Sequence, residues 1–221
     1  MLTNIDEIRA VSARLLKEGI VEMVVGFRQG SQPMMNEPCA IRLPEKVDSL
    51  VWDSHCGINL ANYLTNRTEK IAVIAKGCDS RNIATHIIEN KIKRDQLYII
   101  GVPCQGMVDK RKIAQMVGGE IAEVGETDTE IQVQTGTGEV KTFAKAEVLQ
   151  QNCAVCTHRN PVEYDELVGD KVVEQTVDRY TDVTAIEGLE LAERQAYFEV
   201  LFAPCIRCYA CRNACPLCYC P

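Results

Sequence analysis

The sequence predicts an α/β domain with a small, mostly parallel sheet flanked by helices, a β-hairpin excursion, and a small cysteine-rich module at the C-terminal end. Three observations predict it. Short apolar runs at 71–75 and 97–102 are each followed by a helical pattern of about ten residues. Polar and apolar residues alternate from 120 to 143. Six cysteines fall between 205 and 220.

The elements of the α/β domain follow from apolar spacing and from helix breakers. Ile5, Ile8 and Leu15 recur at roughly helical spacing, and Gly19 ends the predicted first helix. Short apolar runs predict buried strands, because a parallel sheet is covered on both faces. The remaining predictions, in chain order, are a strand at 20–27, a loop after it, a short helix at 55–65, a strand at 71–75, a helix at 80–91, a strand at 97–102 and a helix at 109–117.

The second half of the chain sets the domain boundaries. Within the alternating segments from 120 to 143, the turn sequence Thr135-Gly136-Thr137-Gly138 predicts a β-hairpin. The stretch 160–185 is polar and poorly patterned, whereas 186–202 predicts a helix. We therefore predict an α/β domain at 1–170, a linker and helix at 171–203, and the cysteine-rich module at 204–221.

Charge and hydropathy exclude several classes of protein. The formal net charge is -7 and there is no long Lys/Arg-rich run, which argues against nucleic acid as a partner. No apolar run reaches the roughly 18 residues of a membrane span, and the N-terminus carries charges where a secretory signal would be apolar. We expect a cytoplasmic protein without membrane insertion. The sequence contains no phosphate-binding P-loop and no Ser/His/Asp order, so no motif in it indicates a hydrolase.

The cysteine content points to metal binding. Twelve cysteines in 221 residues are more than a cytosolic chain ordinarily contains. In a reducing compartment, metal ligation explains such a number better than disulfides do. An isolated thiol such as Cys39 is consistent with a small core side chain, but the crowding near the C-terminal end is not.

The strongest motif is Cys205-x2-Cys208-x2-Cys211-x3-Cys215-Pro216, the spacing of bacterial ferredoxins. Three thiolates in one tight loop can hold three corners of a 4Fe-4S cluster. Zinc knuckles instead pair two separate Cys-x2-Cys units around one ion. The motif therefore predicts a ferredoxin-like iron-sulfur module.

The second ligand set of a ferredoxin is incomplete here. Only Cys218 and Cys220 follow the motif. Either the first cluster takes its fourth ligand from Cys215, Cys218 or Cys220, or a second terminal cluster takes an upstream thiolate such as Cys39 or Cys56. A third interpretation is that the natural sequence extends further.

A second set of cysteines is spread along the chain. Cys78 and Cys104 each follow a predicted parallel strand, and neighbouring strands lie about 5 Å apart. Both thiols are expected in the crevice at the carboxyl edge of the sheet, where α/β proteins place their ligands. The pair Cys153-x2-Cys156 could complete four ligands for one cluster. Alternatively, Cys78 and Cys104 are buried thiols and the pair is a separate redox or zinc motif.

Residues Gly77 to Arg81 open a predicted helix. A helix N-terminus favours anions, so Lys76 and Arg81 could bind a phosphate-bearing cofactor there. The alternative is that Asp79 or Ser80 caps the helix and that both cations lie in solvent.

Three motifs between about 70 and 170 carry a resemblance to a known family. They are Val-Ile-Ala-Lys-Gly-Cys78-Asp, Ile-Ile-Gly-Val-Pro-Cys104, and Cys153-x2-Cys156 followed by Asp165 to Asp170. Together they resemble the C-terminal domain of the beta subunit of coenzyme F-420-reducing hydrogenases and dehydrogenases, over somewhat under half of the chain. In that family the domain accompanies flavin and an iron-sulfur cluster, and it passes electrons between a partner enzyme and a soluble cofactor.

The terminal cysteine motif looks like a module fused to this domain in subunits of hydrogenase, formate dehydrogenase or heterodisulfide-reductase-like complexes. The resemblance therefore implies other subunits of such a redox complex as partners. The Gly-Gly-rich segment with which flavin-binding members begin is not recognisable in residues 1–60, which argues against FAD. We expect an electron conduit rather than the subunit that reduces the soluble cofactor.

These observations predict an iron-sulfur electron-transfer subunit with at least two 4Fe-4S clusters. One would be held by Cys78, Cys104, Cys153 and Cys156, and another by the terminal cysteines. A third cluster would need every cysteine, including Cys39 and Cys56. The alternatives are a flavin-dependent oxidoreductase subunit that reduces coenzyme F-420 or a similar carrier, and a structural subunit that binds zinc.

Overall fold

The computed structural model describes residues 5–218. Its helices are α1 (Ile5–Lys17), α2 (Gly77–Ile88), α3 (Lys110–Val117), α4 (Gln151–Ala154), α5 (Thr181–Glu187), α6 (Leu191–Phe202) and α7 (Ala210–Ala214). Its strands are β1 (Met23–Gln29), β2 (Asn36–Ile41), β3 (Leu50–Val51), β4 (Ile71–Ala75), β5 (Leu97–Gly101), β6 (Ile121–Glu126), β7 (Glu130–Thr135), β8 (Val140–Ala144) and β9 (Glu166–Leu167). Over this range, no helix combines the length and the apolar character needed to cross a membrane.

The main sheet has the strand order β2-β1-β4-β5-β9, and β3 pairs with β1. Neighbours along β1, β4, β5 and β9 are parallel, whereas β2 and β3 run antiparallel to β1. Ile71 pairs with Met23 on one side and with Leu97 on the other, so three parallel strands begin in register. The predicted α/β fold with a mostly parallel sheet is confirmed.

Strand β4 lies at the centre of the hydrophobic core. All five of its residues are buried, as expected for a parallel strand with side chains packed on both faces. Helix α1 buries Ile8, Val11 and Leu15, which share one face at helical spacing. Ile83 of α2 joins the same core.

The antiparallel excursion is a second, smaller sheet with the order β6-β7-β8. Gly138, with φ of 87°, makes the turn between β7 and β8. Ile131 and Val133 point from β7 to one side and pack with Ile113 and Val117 of α3. The predicted hairpin is confirmed, and β6 extends it to three strands.

Three strands, β2, β3 and β9, lie where none was predicted. Pro38 and its polar neighbours led to the prediction of a loop at the position of β2. Strand β2 is an edge strand, where a proline is tolerated. Strand β9 lies within the polar, poorly patterned stretch 160–185, where no strand was predicted. It is only two residues long, and it pairs Glu166 with Ile100 and Leu167 with Gly101.

Two predicted helices differ in extent. The one expected at 55–65 is a 3-10 helix at Leu60–Tyr63 only. The one expected at 186–202 begins at Leu191, because α5 ends at Glu187 and Gly188 is its C-cap. Beyond β9 the side chains are mostly exposed, so this part of the chain lies outside the core.

Candidate metal centre

The carboxyl ends of β4 and β5 form one side of the candidate metal centre. Ala75 pairs with Gly101, and the N–H of Val102 donates to the carbonyl oxygen of Ala75 at 2.9 Å, so both strands end at one level. Cys78 lies in the first turn of α2, directly after β4, and Cys104 follows β5. The structure thus places both cysteines at this edge of the sheet.

A returning segment, residues 153–160, packs over this edge. The N–H of Cys104 donates to the carbonyl oxygen of Arg159 at 3.0 Å. Gly77 has no room for a side chain, because a Cβ there would lie 2.6 Å from the carbonyl oxygen of His158. The segment is therefore held against the residues that follow both strands, which brings the cysteine pair at its start to the crevice.

Two further contacts position that cysteine pair. Gly106, with φ of 106°, lies so close that a Cβ on it would be 3.5 Å from the Cβ of Cys153. The side-chain amide of Gln175 donates to the carbonyl oxygen of Cys156 at 2.7 Å. The pair is thus fixed both from the loop after β5 and from the chain beyond β9.

The four thiols influence one another electrostatically. Burial, with smaller effects from Asp79, Cys104 and Cys153, raises the pKa of Cys78, although its side chain reaches solvent in the crevice. Burial raises the pKa of Cys104 to about 11, and Cys153 adds to it. Burial and the neighbouring Cys156 raise the pKa of Cys153. Without a bound cation these three thiols hold their protons at neutral pH, and a metal must displace them.

The donor set consists of thiols, which are the side chains that iron-sulfur clusters take as ligands. In residues 5–218, no three Cys, His, Asp or Glu side chains converge tightly enough to hold one metal ion. A cubane spreads its ligand sulfurs more widely than one ion does, and it takes four thiolates. The Nε of Arg159 is buried without an acceptor in the described part of the chain, and the Arg159 charge acts on Cys153. Such a donor suits the sulfur atoms of a cluster.

Lys76 occupies neither of the positions expected for it. Its ammonium is buried, 2.9 Å from Oδ2 of Asp79 and 3.2 Å from the carbonyl oxygen of Ile58. The Asp79 carboxylate also accepts the backbone N–H of Lys76 and so caps α2. Lys76 is therefore not available, together with the half-exposed Arg81, to bind a phosphate. Its ammonium does not lie in solvent either.

The terminal cysteine run has an unusual backbone. Arg207 and Tyr209 have φ of 57° and 58°, in the left-handed region that residues with side chains seldom adopt. Left-handed residues in a turn direct successive N–H groups to one side, and such concavities hold many iron-sulfur clusters. The loop lies outside the core, and Cys205, Cys208 and Cys211 are exposed.

Two candidates for the fourth terminal ligand lie together. The backbone N–H of Leu217 and the Cys218 thiol donate to the sulfur of Cys215 and lower its pKa. The N–H of Cys215 also donates to the carbonyl oxygen of Cys211 at 3.1 Å, which fixes this corner to α7. The third candidate, Cys220, lies outside the described residues.

Cys39 and Cys56 pack with the hydrophobic core. Cys39 lies on β2 opposite Gly26 of β1, two strands away from β4. Cys56 is buried, and the side-chain amide of Asn36 donates to its sulfur at 3.5 Å. None of the eleven cysteines in residues 5–218 forms a disulfide.

A cavity of about 570 Å³ opens beside Cys104, and its walls come from the loops after β3 and β5, the small sheet, and the chain from the end of α4 onward. Trp52 and Glu126 line it. The Glu126 carboxylate accepts the N–H of Ser54 at 3.3 Å and lies 3.4 Å from the ammonium of Lys145. The volume of this cavity is that of a binding site for a small molecule.

Sequence reasoning missed Arg159, Gln175 and Trp52. Gln175 lies in the stretch 160–185, which was interpreted as polar and poorly patterned, and Arg159 directly precedes that stretch. Trp52 is the single tryptophan of the chain, and that rarity was the one available signal. The partners of all three come from distant segments, so no local pattern could connect them.

Comparison with known proteins finds subunits of redox enzymes that are similar to this chain. No protein-family model matches the sequence. The F420-dependent formate dehydrogenase 1 subunit beta of Methanococcus maripaludis is 24% identical over 282 aligned positions, which cover 96% of this chain and 72% of that protein. The F420-dependent formate dehydrogenase subunit beta of Methanocaldococcus jannaschii is 23% identical, with the same shares covered.

One solved structure shares the fold. It is a chain of the F420-reducing NiFe hydrogenase complex from Methanosarcina barkeri, with a TM-score of 0.53 and 16% identity. The match covers 69% of this chain and 59% of the hydrogenase chain, so it spans less than two thirds of that chain. The predicted resemblance to beta subunits of F420-dependent enzymes is confirmed, whereas the fusion of a 4Fe-4S module to this domain stays a prediction.

Proposed function

Because the chain is related to the beta subunits of F420-dependent formate dehydrogenases, we propose that it is an iron-sulfur electron-transfer subunit of a cytoplasmic redox complex. The observation that carries the proposal is the packing of the segment 153–160 against the residues that follow β4 and β5. This packing supports Cys78, Cys104, Cys153 and Cys156 as one ligand set. A 4Fe-4S cluster bound there would supply one-electron transfer. The chain's own residues supply four thiolates and a buried donor, Arg159 Nε.

The terminal cysteine run is docked on the helix that carries Cys78. Nε2 of His86 lies 2.5 Å from the carbonyl oxygen of Pro216, and the side-chain amide of Asn62 donates to the carbonyl oxygen of Asn213 at 3.1 Å. Cys78 and His86 are both on α2, about 12 Å apart along its axis at 1.5 Å per residue. The end of the terminal run around Pro216 therefore lies against the helix that carries Cys78, which supports an electron relay between the two cysteine sets.

The terminal run would hold the second cluster. Its left-handed turns at Arg207 and Tyr209 support this assignment. Three ligands would be Cys205, Cys208 and Cys211, and the fourth would be Cys215, Cys218 or Cys220. A third cluster would need Cys39 and Cys56, whose places in the core speak against it.

Other subunits of a formate dehydrogenase, hydrogenase or heterodisulfide-reductase-like complex are the proposed partners. Helix α6 supports a protein partner, since it exposes Phe198, Leu201 and Phe202. A helix with apolar residues on all sides is ordinarily buried, and an exposed apolar patch marks an interaction surface. A partner subunit would cover α6 next to the terminal cysteine run.

Iron and acid-labile sulfide analysis of the full chain, purified without oxygen, tests the proposal. Two clusters correspond to about eight iron and eight sulfide per chain. Fewer than about four iron atoms per chain would contradict it. Zinc without sulfide would instead favour the structural alternative.

A second candidate function rests on the cavity beside Cys104. With a volume of about 570 Å³, it could hold a flavin or another redox carrier within reach of the candidate metal centre. In that case the chain would itself reduce coenzyme F-420. Flavin released on denaturation, together with F-420 reduction by the purified chain, would support this function. A protein that holds its iron but binds no added FAD would exclude it.

A further inference from the structure

A buried positive charge lies next to the candidate metal centre. The side chain of Lys76 is 2% exposed, and its Nζ lies 4.9 Å from the ring centroid of Phe27 and 5.6 Å from that of Trp52. Oxygen atoms of Asp79 and Ile58 engage two of its three N–H donors. The charge is thus held in one place by an ion pair, a carbonyl group and two aromatic faces.

An ammonium is a costly side chain to bury. Removing it from water carries a large desolvation cost, and an apolar side chain such as methionine would fill the same space without that cost. A simple packing role therefore does not account for Lys76.

The surroundings of Lys76 suggest a reason. Its charge acts on the thiols of Cys78, Cys104 and Cys153, three of the four proposed ligands. Asp79 acts more strongly than Lys76 on Cys78, whereas Lys76 acts more strongly than Asp79 on Cys104. Lys76 lies two residues before Cys78, and Asp79 directly follows Cys78, so both charges of the ion pair lie beside a proposed ligand.

We propose that the ion pair of Lys76 and Asp79 sets the reduction potential of the cluster in the α/β domain, with Lys76 raising it. This inference rests on the proposed function. A cluster bound by four thiolates carries net negative charge, and reduction adds one more electron. A fixed positive charge nearby stabilises the reduced form more than the oxidised form. The aromatic rings keep water away from the ammonium, so screening is weak.

The consequence concerns the direction of electron flow. The terminal cysteine run docks farther along α2, near His86, and so lies farther from Lys76 than Cys78 does. Lys76 therefore raises the potential of the domain cluster relative to the terminal one. This contribution of Lys76 favours electron transfer from the terminal cluster to the domain cluster.

Redox titration of the full chain, followed by electron paramagnetic resonance, tests the inference. In Lys76→Met, the ratio of reduced to oxidised domain cluster at a fixed potential should fall about tenfold, which is about 59 mV for one electron. Lys76→Arg should restore the wild-type value because it keeps the charge. Lys17→Met, at the exposed end of α1, is the matched control and should leave both clusters unchanged.

Asp79→Asn keeps an oxygen acceptor and removes the negative charge, so it should shift the same potential upward. This opposite shift keeps the inference testable if Lys76→Met cannot hold its cluster because Asp79 is left unpaired. Full iron content with unchanged potentials in the Lys76→Met and Asp79→Asn variants, or shifts of both in one direction, would overturn the inference. Wild-type protein without iron would instead overturn the proposed function.

Discussion

The backbone N–H of Cys104 donates a hydrogen bond to the carbonyl oxygen of Arg159 across 3.0 Å. This bond ties the loop after β5 to the segment that follows Cys156, although the two are far apart in the sequence. Together with the tight contact at Gly77, it holds two separate cysteine motifs at one edge of the sheet. The candidate metal centre is therefore produced by the fold and not by one local motif.

The contact at Gly77 gives a first prediction. In Gly77→Ala, the added Cβ would meet the carbonyl oxygen of His158 at 2.6 Å, and backbone atoms cannot move aside cheaply. We expect a loss of about 1–3 kcal/mol in the free energy of unfolding. We also expect loss of the domain cluster, about four iron atoms per chain. Gly119→Ala is the matched control, because nothing lies within 4 Å of a Cβ there. Equal iron content in the two variants would contradict this prediction.

The ligand assignment gives a second prediction. Cys153→Ser should remove about four iron atoms per chain, because serine is a poor ligand for the cluster. Cys39→Ser should keep all of the iron, since Cys39 packs with the core on β2. Iron analysis of both variants checks this. A loss of iron in Cys39→Ser that matches the loss in Cys153→Ser would show that the assignment is wrong.

Part of this site could be predicted from the sequence. The apolar runs of β4 and β5 identify buried strands, and the ends of parallel strands place Cys78 and Cys104 at one edge. The short strand β9 escaped prediction because two residues in a polar stretch leave no periodicity. Strand β9 forms by pairing with β5, and a pairing between distant segments cannot be predicted from a local sequence pattern.

The burial of Lys76 could not be predicted either. A lysine beside a helix N-terminus ordinarily lies in solvent. Here the compensation comes from Phe27, Trp52 and the carbonyl group of Ile58, which belong to other segments. Only the folded chain brings these groups together.

The left-handed turn in the terminal run gives a third prediction. Tyr209 has φ of 58°, a conformation that a β-branched residue strongly disfavours. Tyr209→Val should cost the terminal loop about 1–2 kcal/mol and lower the occupancy of the terminal cluster alone. Tyr209→Gly is the matched variant and should keep that cluster, because glycine adopts this φ freely. Cluster counts by electron paramagnetic resonance that are equal in both variants would contradict the role of the turn.

Cys56 gives a pH-dependent prediction. Burial, with Asp53 adding to it, raises the pKa of Cys56 to about 12 from an ordinary value of 9.0. The unfolded thiol ionises first, so the stability that depends on the neutral thiol is full below pH 9 and is lost as the pH rises towards 12. The loss is about 1.4 kcal/mol per pH unit.

Chemical denaturation at increasing alkaline pH checks this expectation. Cys56→Ala has no thiol to ionise, so its stability should fall less steeply above pH 9 than that of the wild type. The difference between the free energies of unfolding of the two proteins should therefore decrease as the pH rises. If the free energy of unfolding fell equally steeply with pH in both proteins, burial would not raise the pKa of Cys56.

The most direct test of the account is the electron paramagnetic resonance spectrum of the reduced full chain, compared with that of a variant carrying both Cys78→Ser and Cys104→Ser. Two separate cysteine sets should give two paramagnetic centres in the wild type and leave only the terminal one in the variant. A wild-type spectrum without iron-sulfur signals, or a variant spectrum identical to the wild type, would contradict the account.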